Sequence, residues 1–132
     1  MGSTGIAAAF AHYGAVLRNV QWSVSAWTPA GELVVSLWDH HYRKGASGTM
    51  EFADSFDRWS GAGNNEFRAN VSRALAEGSR VRLVLVKTRH ISHVERGEDA
   101  SKIDKDFFVR DDLIGEVAEI AGSDYVFRFR KA

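Results

Sequence analysis

Asn19-Val20-Gln21-Trp22-Ser23-Val24-Ser25-Ala26-Trp27, the turn Thr28-Pro29-Ala30-Gly31 and the return Leu33-Val34-Val35-Ser36-Leu37-Trp38 decide how this chain folds. The first segment sets Val20, Trp22, Val24 and Ala26 on one face and Gln21, Ser23, Ser25 and Trp27 on the other. That period of two predicts a strand with one buried side. Proline presets φ at the second turn position, and glycine suits the fourth position of a type I turn. The return segment is apolar on both faces except at Ser36. It therefore predicts a strand covered on both sides, inside a curled sheet or barrel rather than on an exposed edge. Three of the four tryptophans fall within this hairpin. The hairpin is thus expected to nucleate the core, with Trp22 filling it, and to furnish any aromatic pocket.

Working outward, Ile6, Phe10, Tyr13 and Leu17 recur at helical spacing, but Gly14 is a poor helix residue and residues 13–17 suit a first strand equally. The reading is a short helix or irregular lead-in, then strand from about Val16. Downstream, residues 39–48 are polar with two glycines and predict an exposed loop. A brief strand over 49–52 and a second loop bearing Trp59 follow. The clearest helix opens at Gly61-Ala62-Gly63-Asn64-Asn65, where asparagine is a strong N-cap. Its apolar stripe is Phe67, Val71, Ala74 and Leu75, and Gly78 ends it. Val81, Leu83, Val84, Leu85 and Val86 then predict a deeply buried strand, residues 89–106 a polar loop, and residues 113–130 a closing hairpin turning at Gly122-Ser123-Asp124. The expected fold is α+β: a small curled antiparallel sheet or barrel of five to six strands plugged by one main helix, residues 1–132 forming one domain.

Composition narrows the function. The chain of 132 residues is 45% hydrophobic and 26% charged, ordinary for a globular protein. No apolar run approaches the roughly 18 residues that span a bilayer, so no membrane partner is expected. Met1-Gly2-Ser3-Thr4-Gly5 lacks a basic leader, and Gly2-Ser3 reads as a cloning remnant. With no cysteine there is neither a disulfide framework nor a thiol nucleophile, and a cytoplasmic location is the expectation. Seventeen basic residues balance seventeen acidic ones, so any affinity for nucleic acid must come from a local patch.

The run Tyr13-Gly14-Ala15, Asn19, Trp22-Ser23, Ala26, Val34-Val35 and Leu37-Trp38 resembles uncharacterised bacterial proteins that share an asparagine, tryptophan-serine and alanine pattern before a strand ending in tryptophan. In element order, the later helix, strand and hairpin are similar to the PUA-like β-barrel readers, which include EVE, ASCH and SRA domains. That resemblance implies recognition of RNA or modified DNA, with a flipped base held against aromatics.

The residues themselves add candidates. Trp27, on the face opposite Trp22, strand-end Trp38 and loop-borne Trp59 are read as base-stacking platforms, because every base offers a π face. Asn64, Asn65 and His40 are read as polar readers, and Arg43, Arg68, Lys87 and Arg89 as phosphate contacts on loop ends and outward faces. Two histidine pairs, His40-His41 and His90-x-x-His93, invite a metal, but adjacent histidines on an extended chain point apart. No metal and no cofactor are expected, and no Gly-x-Ser-x-Gly elbow marks a hydrolase. The leading expectation is a non-catalytic nucleic-acid-binding domain for DNA or RNA, reading a modified or flipped base. A protein-interaction module, and then a small-ligand barrel or hydrolase, are the alternatives.

Overall fold

The computed structural model describes residues 5–132, so the reading of Gly2-Ser3 lies outside the described residues. The chain runs α1 (Ile6–His12), β1 (Ser25–Trp27), β2 (Leu33–Trp38), a 3-10 turn (Asp39–His41), β3 (Tyr42–Lys44), β4 (Thr49–Ser55), α2 (Ala62–Glu77), β5 (Val81–Lys87), α3 (Ile91–Glu95), β6 (Asp106–Val109), β7 (Leu113–Ala121) and β8 (Asp124–Lys131). The class is α+β. Among the described residues, eight strands form one mixed sheet in the order β1-β2-β5-β7-β8-β4-β3, with β6 pairing with β5 as well.

At the centre β2 and β5 run parallel, in register from Leu33 opposite Val81 to Trp38 opposite Val86. Their side chains alternate between two cores. Leu33, Val35, Leu37, Val81, Leu83 and Leu85 lie on the face that packs with Phe67, Val71 and Ala74 of α2. Val34, Val84 and Val86 lie on the other face with Ala9 and Phe10 of α1 and with Phe107. This corrects the expected curled antiparallel sheet or barrel of five to six strands: the sheet is mixed, open and larger. β2 is apolar on both sides because helices cover both sides of an open sheet, not because the sheet curls shut. The long connection between β2 and β5, carrying β3, β4 and α2, brings β5 back alongside β2 in the same direction, as parallel strands require. β1 and β3 remain as the two ends of the strand order, so the sheet does not close.

The opening hairpin is shorter than its alternation suggests. The turn over 28–31 forms as read, with the Gly31 amide donating to the Thr28 carbonyl at 3.0 Å. Only Ser25–Trp27 pairs with β2, however. Residues 19–23 wind into a turn in which the Asn19 carbonyl accepts from the amides of Trp22 and Ser23, while its Oδ1 accepts from the Gln21 amide. The burial pattern inverts accordingly: Ser23 and Ser25 are buried, whereas Trp22 and Val24 are half-buried. The first strand expected from Val16 is also absent, and Val16 is 85% exposed.

The main helix follows its sequence closely. Gly78 closes it in the left-handed region at φ 65°. Its N-terminus differs. Gly61 occupies the N-cap without a side-chain cap, and Asn64 is buried inside the first turn, where its amide donates to the carbonyls of Phe56 and Trp59. The apolar stripe is Phe67, Val71 and Ala74, with Leu75 at its margin and 39% exposed. The polar stretches hide further elements: β3 pairs with β4, and α3 and β6 sit within 89–109.

Across the outer strands, buried Glu51 lies opposite Arg43 on one side and Arg128 on the other. It accepts from Arg128 at 2.9 Å and from Arg43 at 2.9 Å. Those guanidinium hydrogen bonds hold its carboxyl below the usual range, Arg128 contributing most. A depressed carboxyl adds stability that is full above the unfolded glutamate value of about 4.3 and is lost as pH falls through the lower folded value. Glu51→Gln should therefore lower the urea midpoint at neutral pH and make its decline in acid shallower. In the same assay Phe67→Ala should cost about 3–5 kcal/mol, and Leu75→Ala less than about 1 kcal/mol because its side chain is already partly in water.

Candidate functional site

The carboxyl ends of β2 and β5 open into a cleft of about 800 Å³. Parallel strands in open sheets characteristically present ligands at that end. Trp38 and Val86 form its floor, the 19–24 turn one wall, residues 58–63 with the start of α2 a second, and residues 97–105 a third. Trp22, Trp38 and Trp59 all line it. A second hollow of about 620 Å³, at the opposite end near Glu32, Arg80 and Arg130, has no aromatic in its lining.

Two glycines hold the walls together. At Gly63 an added Cβ would meet the Trp22 carbonyl oxygen at 2.3 Å, so the 19–24 turn seats directly on α2. At Gly97, with φ +75°, it would meet the Arg58 carbonyl oxygen at 1.9 Å. Neither contact leaves room for a side chain.

Below the tryptophans runs a chain of polar contacts. Arg58 donates through Nε to both oxygens of Asp54 at 2.9 Å, and through Nη1 to the Val94 carbonyl at 2.7 Å. The Tyr125 hydroxyl donates to Asp54 Oδ2 at 3.3 Å. Burial, reinforced by the Asp54 charge, pushes that phenol well above its ordinary value and keeps it a neutral donor. His41 places Nδ1 at 3.5 Å from Asp54 Oδ2 and Nε2 at 2.6 Å from Glu95 Oε2. His40 Nε2 reaches the same Glu95 oxygen at 3.0 Å. Burial raises the Glu95 carboxyl, but hydrogen bonds from the two imidazoles outweigh it and leave the group below its usual range. Lys105 Nζ is occupied at the rim, donating to the carbonyls of Ala100 and Ser101 at 2.7 and 3.2 Å. The Trp59 Nε1–H is buried and has no acceptor among the described residues.

Of the residues singled out from the sequence, Trp38 and Trp59 share the cleft, and His40 lies beside it with its ring 5.8 Å from that of Trp38. Trp27 stands elsewhere, beneath the Arg73 guanidinium at 4.2 Å and donating to Asn70. Asn64 is engaged inside the fold, and Asn65 is exposed on α2. Arg43 pairs with Glu51, Arg68 lies over Phe56, Lys87 over Phe108, and Arg89 pairs with Asp104. None of these four lines the cleft; its cations are Arg58, Lys102 and Lys105.

Asp54, Arg58, Tyr125 and Glu95 are not among the residues the sequence marks as a site, while Trp22 reads as core and His41 as half of a pair that points apart. The Asp54–Arg58 spacing of four was the available signal, since it suits an ion pair wherever the backbone turns. The expectation that His40 and His41 point apart is also corrected. They sit on a 3-10 turn, not an extended strand, and their rings lie 4.5 Å from one another. His93 contacts Glu98 and the Asp99 carbonyl instead.

Comparison with protein-family models, curated proteins and solved structures finds no match to the chain. Among the described residues, no helix is long and apolar enough to cross a membrane. Fold and site together define an α+β chain with an open mixed sheet and an aromatic-walled cleft at the ends of its parallel strands.

Gly97→Ala should destabilise the protein by more than about 1 kcal/mol, because it combines a positive φ with a backbone clash. It should also shift tryptophan emission as the 97–105 wall moves off residue 58. Gly5→Ala, with open space around it, is the matched control in thermal melts and fluorescence.

Proposed function

We propose that the chain is a non-catalytic nucleic-acid reader that receives one flipped base in the cleft. The observation that carries this reading is the convergence of Trp22, Trp38 and Trp59 on a single cavity of about 800 Å³. That volume falls within the roughly 300–1,000 Å³ of small-molecule sites, which are mostly apolar with a few placed polar groups. A base entering it stacks on tryptophan. Ser23, Ser36 and the Asp54–Arg58 pair line the same space as polar edges. Lys102 at the rim is the candidate phosphate contact; with zero net charge the pocket contributes most of the affinity.

The alternative is a free planar small molecule in place of a base within a strand, favoured by the enclosure of the cleft between three loops. Polarisation titrations against unmodified and methylated single- and double-stranded oligonucleotides, set beside free nucleosides, separate the two. Trp38→Ala and Trp59→Ala should each weaken oligonucleotide binding by about 1–3 kcal/mol, with the loss persisting at higher salt. Trp27→Ala should leave affinity unchanged. Absence of binding to every oligonucleotide at low salt would remove the nucleic-acid reading, and binding of nucleosides alone would install the small-molecule one.

A further inference from the structure

We propose that His40, His41 and Glu95 hold a divalent transition-metal ion of the zinc class at the rim of the cleft. The inference is independent of what the cleft itself binds. One ring nitrogen of His40, one of His41 and a Glu95 carboxylate oxygen lie within 4.8 Å of one another. They come from two elements brought together by the fold: the 3-10 turn at the end of β2, and the C-terminus of α3. Two imidazole nitrogens and one carboxylate oxygen form a donor set suited to zinc, and three protein ligands leave a position open for water or ligand.

Hydrogen counting strengthens the case. A neutral imidazole carries one N–H and one lone pair. His41 nevertheless faces a carboxylate oxygen from both nitrogens, Asp54 at 3.5 Å and Glu95 at 2.6 Å. If Nδ1–H points to Asp54, the Nε2 lone pair points at an anionic oxygen, and His40 brings a second nitrogen to that same oxygen at 3.0 Å. A second proton on the imidazole, or a cation among the three atoms, resolves the conflict. A metal ion does so with bonds of about 2.0–2.2 Å after a small spreading of the ligands.

The surroundings match this role. Metal-bound histidines usually donate their other ring N–H to a carboxylate, which orients the ring and raises its basicity. Asp54 stands there, itself fixed by Arg58 and the Tyr125 hydroxyl. Because His41 and Asp54 also line the cleft, ion and cleft share a wall.

The test uses full-length protein purified without a metal-affinity tag and stripped with a chelator. Titration with Co²⁺ should give ligand-field absorption that saturates at one ion per chain, and Zn²⁺ should abolish it by displacement. Asp54→Asn should weaken Zn²⁺ binding by about 10–100-fold. His40→Ala, His41→Ala and Glu95→Gln should each weaken it more, with circular dichroism checking that the fold survives because the His40 and His41 side chains are largely buried. Absence of ligand-field absorption, or Zn²⁺ affinity indifferent to His41→Ala and Glu95→Gln, would overturn the proposal and leave the cluster a set of ion pairs.

Discussion

Everything in this fold depends on the parallel pairing of β2 with β5. Six consecutive registered pairs join them, and each strand is covered on both faces. A strand so placed has no side for polar residues, so its sequence becomes continuously apolar. Parallel pairing also puts both carboxyl ends at one edge of the molecule. The cleft, the 3-10 turn and the loop after α3 all attach there, so one pairing decision locates the site. The antiparallel half of the sheet, β7-β8-β4-β3, is joined to this centre at the Val81–Gly115 pair and supplies Tyr125 and Asp54 from its near side.

Local signals in the sequence were read well where the physics is local. The helix over 62–77 announces itself through Phe67, Val71 and Ala74 and a terminal glycine, and the hairpin over 113–131 through alternation around Gly122. What the sequence conceals is non-local. Val34 and Val35 look the same whether their strand is inside a barrel or between two helices, since both settings bury both faces. Alternation over 19–24 is genuine, yet Asn19 supplies enough competing side-chain and backbone hydrogen bonds to wind that stretch into a turn.

The candidate site was half visible for the same reason. Tryptophans at a strand end and in a loop can be recognised as exposed aromatics, and Trp38 and Trp59 meet in one place. Trp22 was assigned to the core because a strand would have turned it inward; the turn leaves it half-buried in the wall. The arginines and lysines chosen for phosphate instead pair with nearby carboxylates or cover aromatic rings, the ordinary fate of surface cations. Glu95 could not be connected to His40 and His41 from spacing, being more than fifty residues away. Only the packing of α3 beside the end of β2 unites them.

The contact of Gly97 with the Arg58 carbonyl, and of Gly63 with that of Trp22, has a thermodynamic meaning. These are backbone-to-backbone seats, so the loops around the cleft are set against each other by main chain rather than by adjustable side chains. The entropy of ordering them is spent when the chain folds, and little remains to be lost when a guest arrives. Such a receptor operates as a rigid mould: side chains of the walls can be exchanged to alter which guest fits, while the spacing of the walls stays fixed by two main-chain contacts.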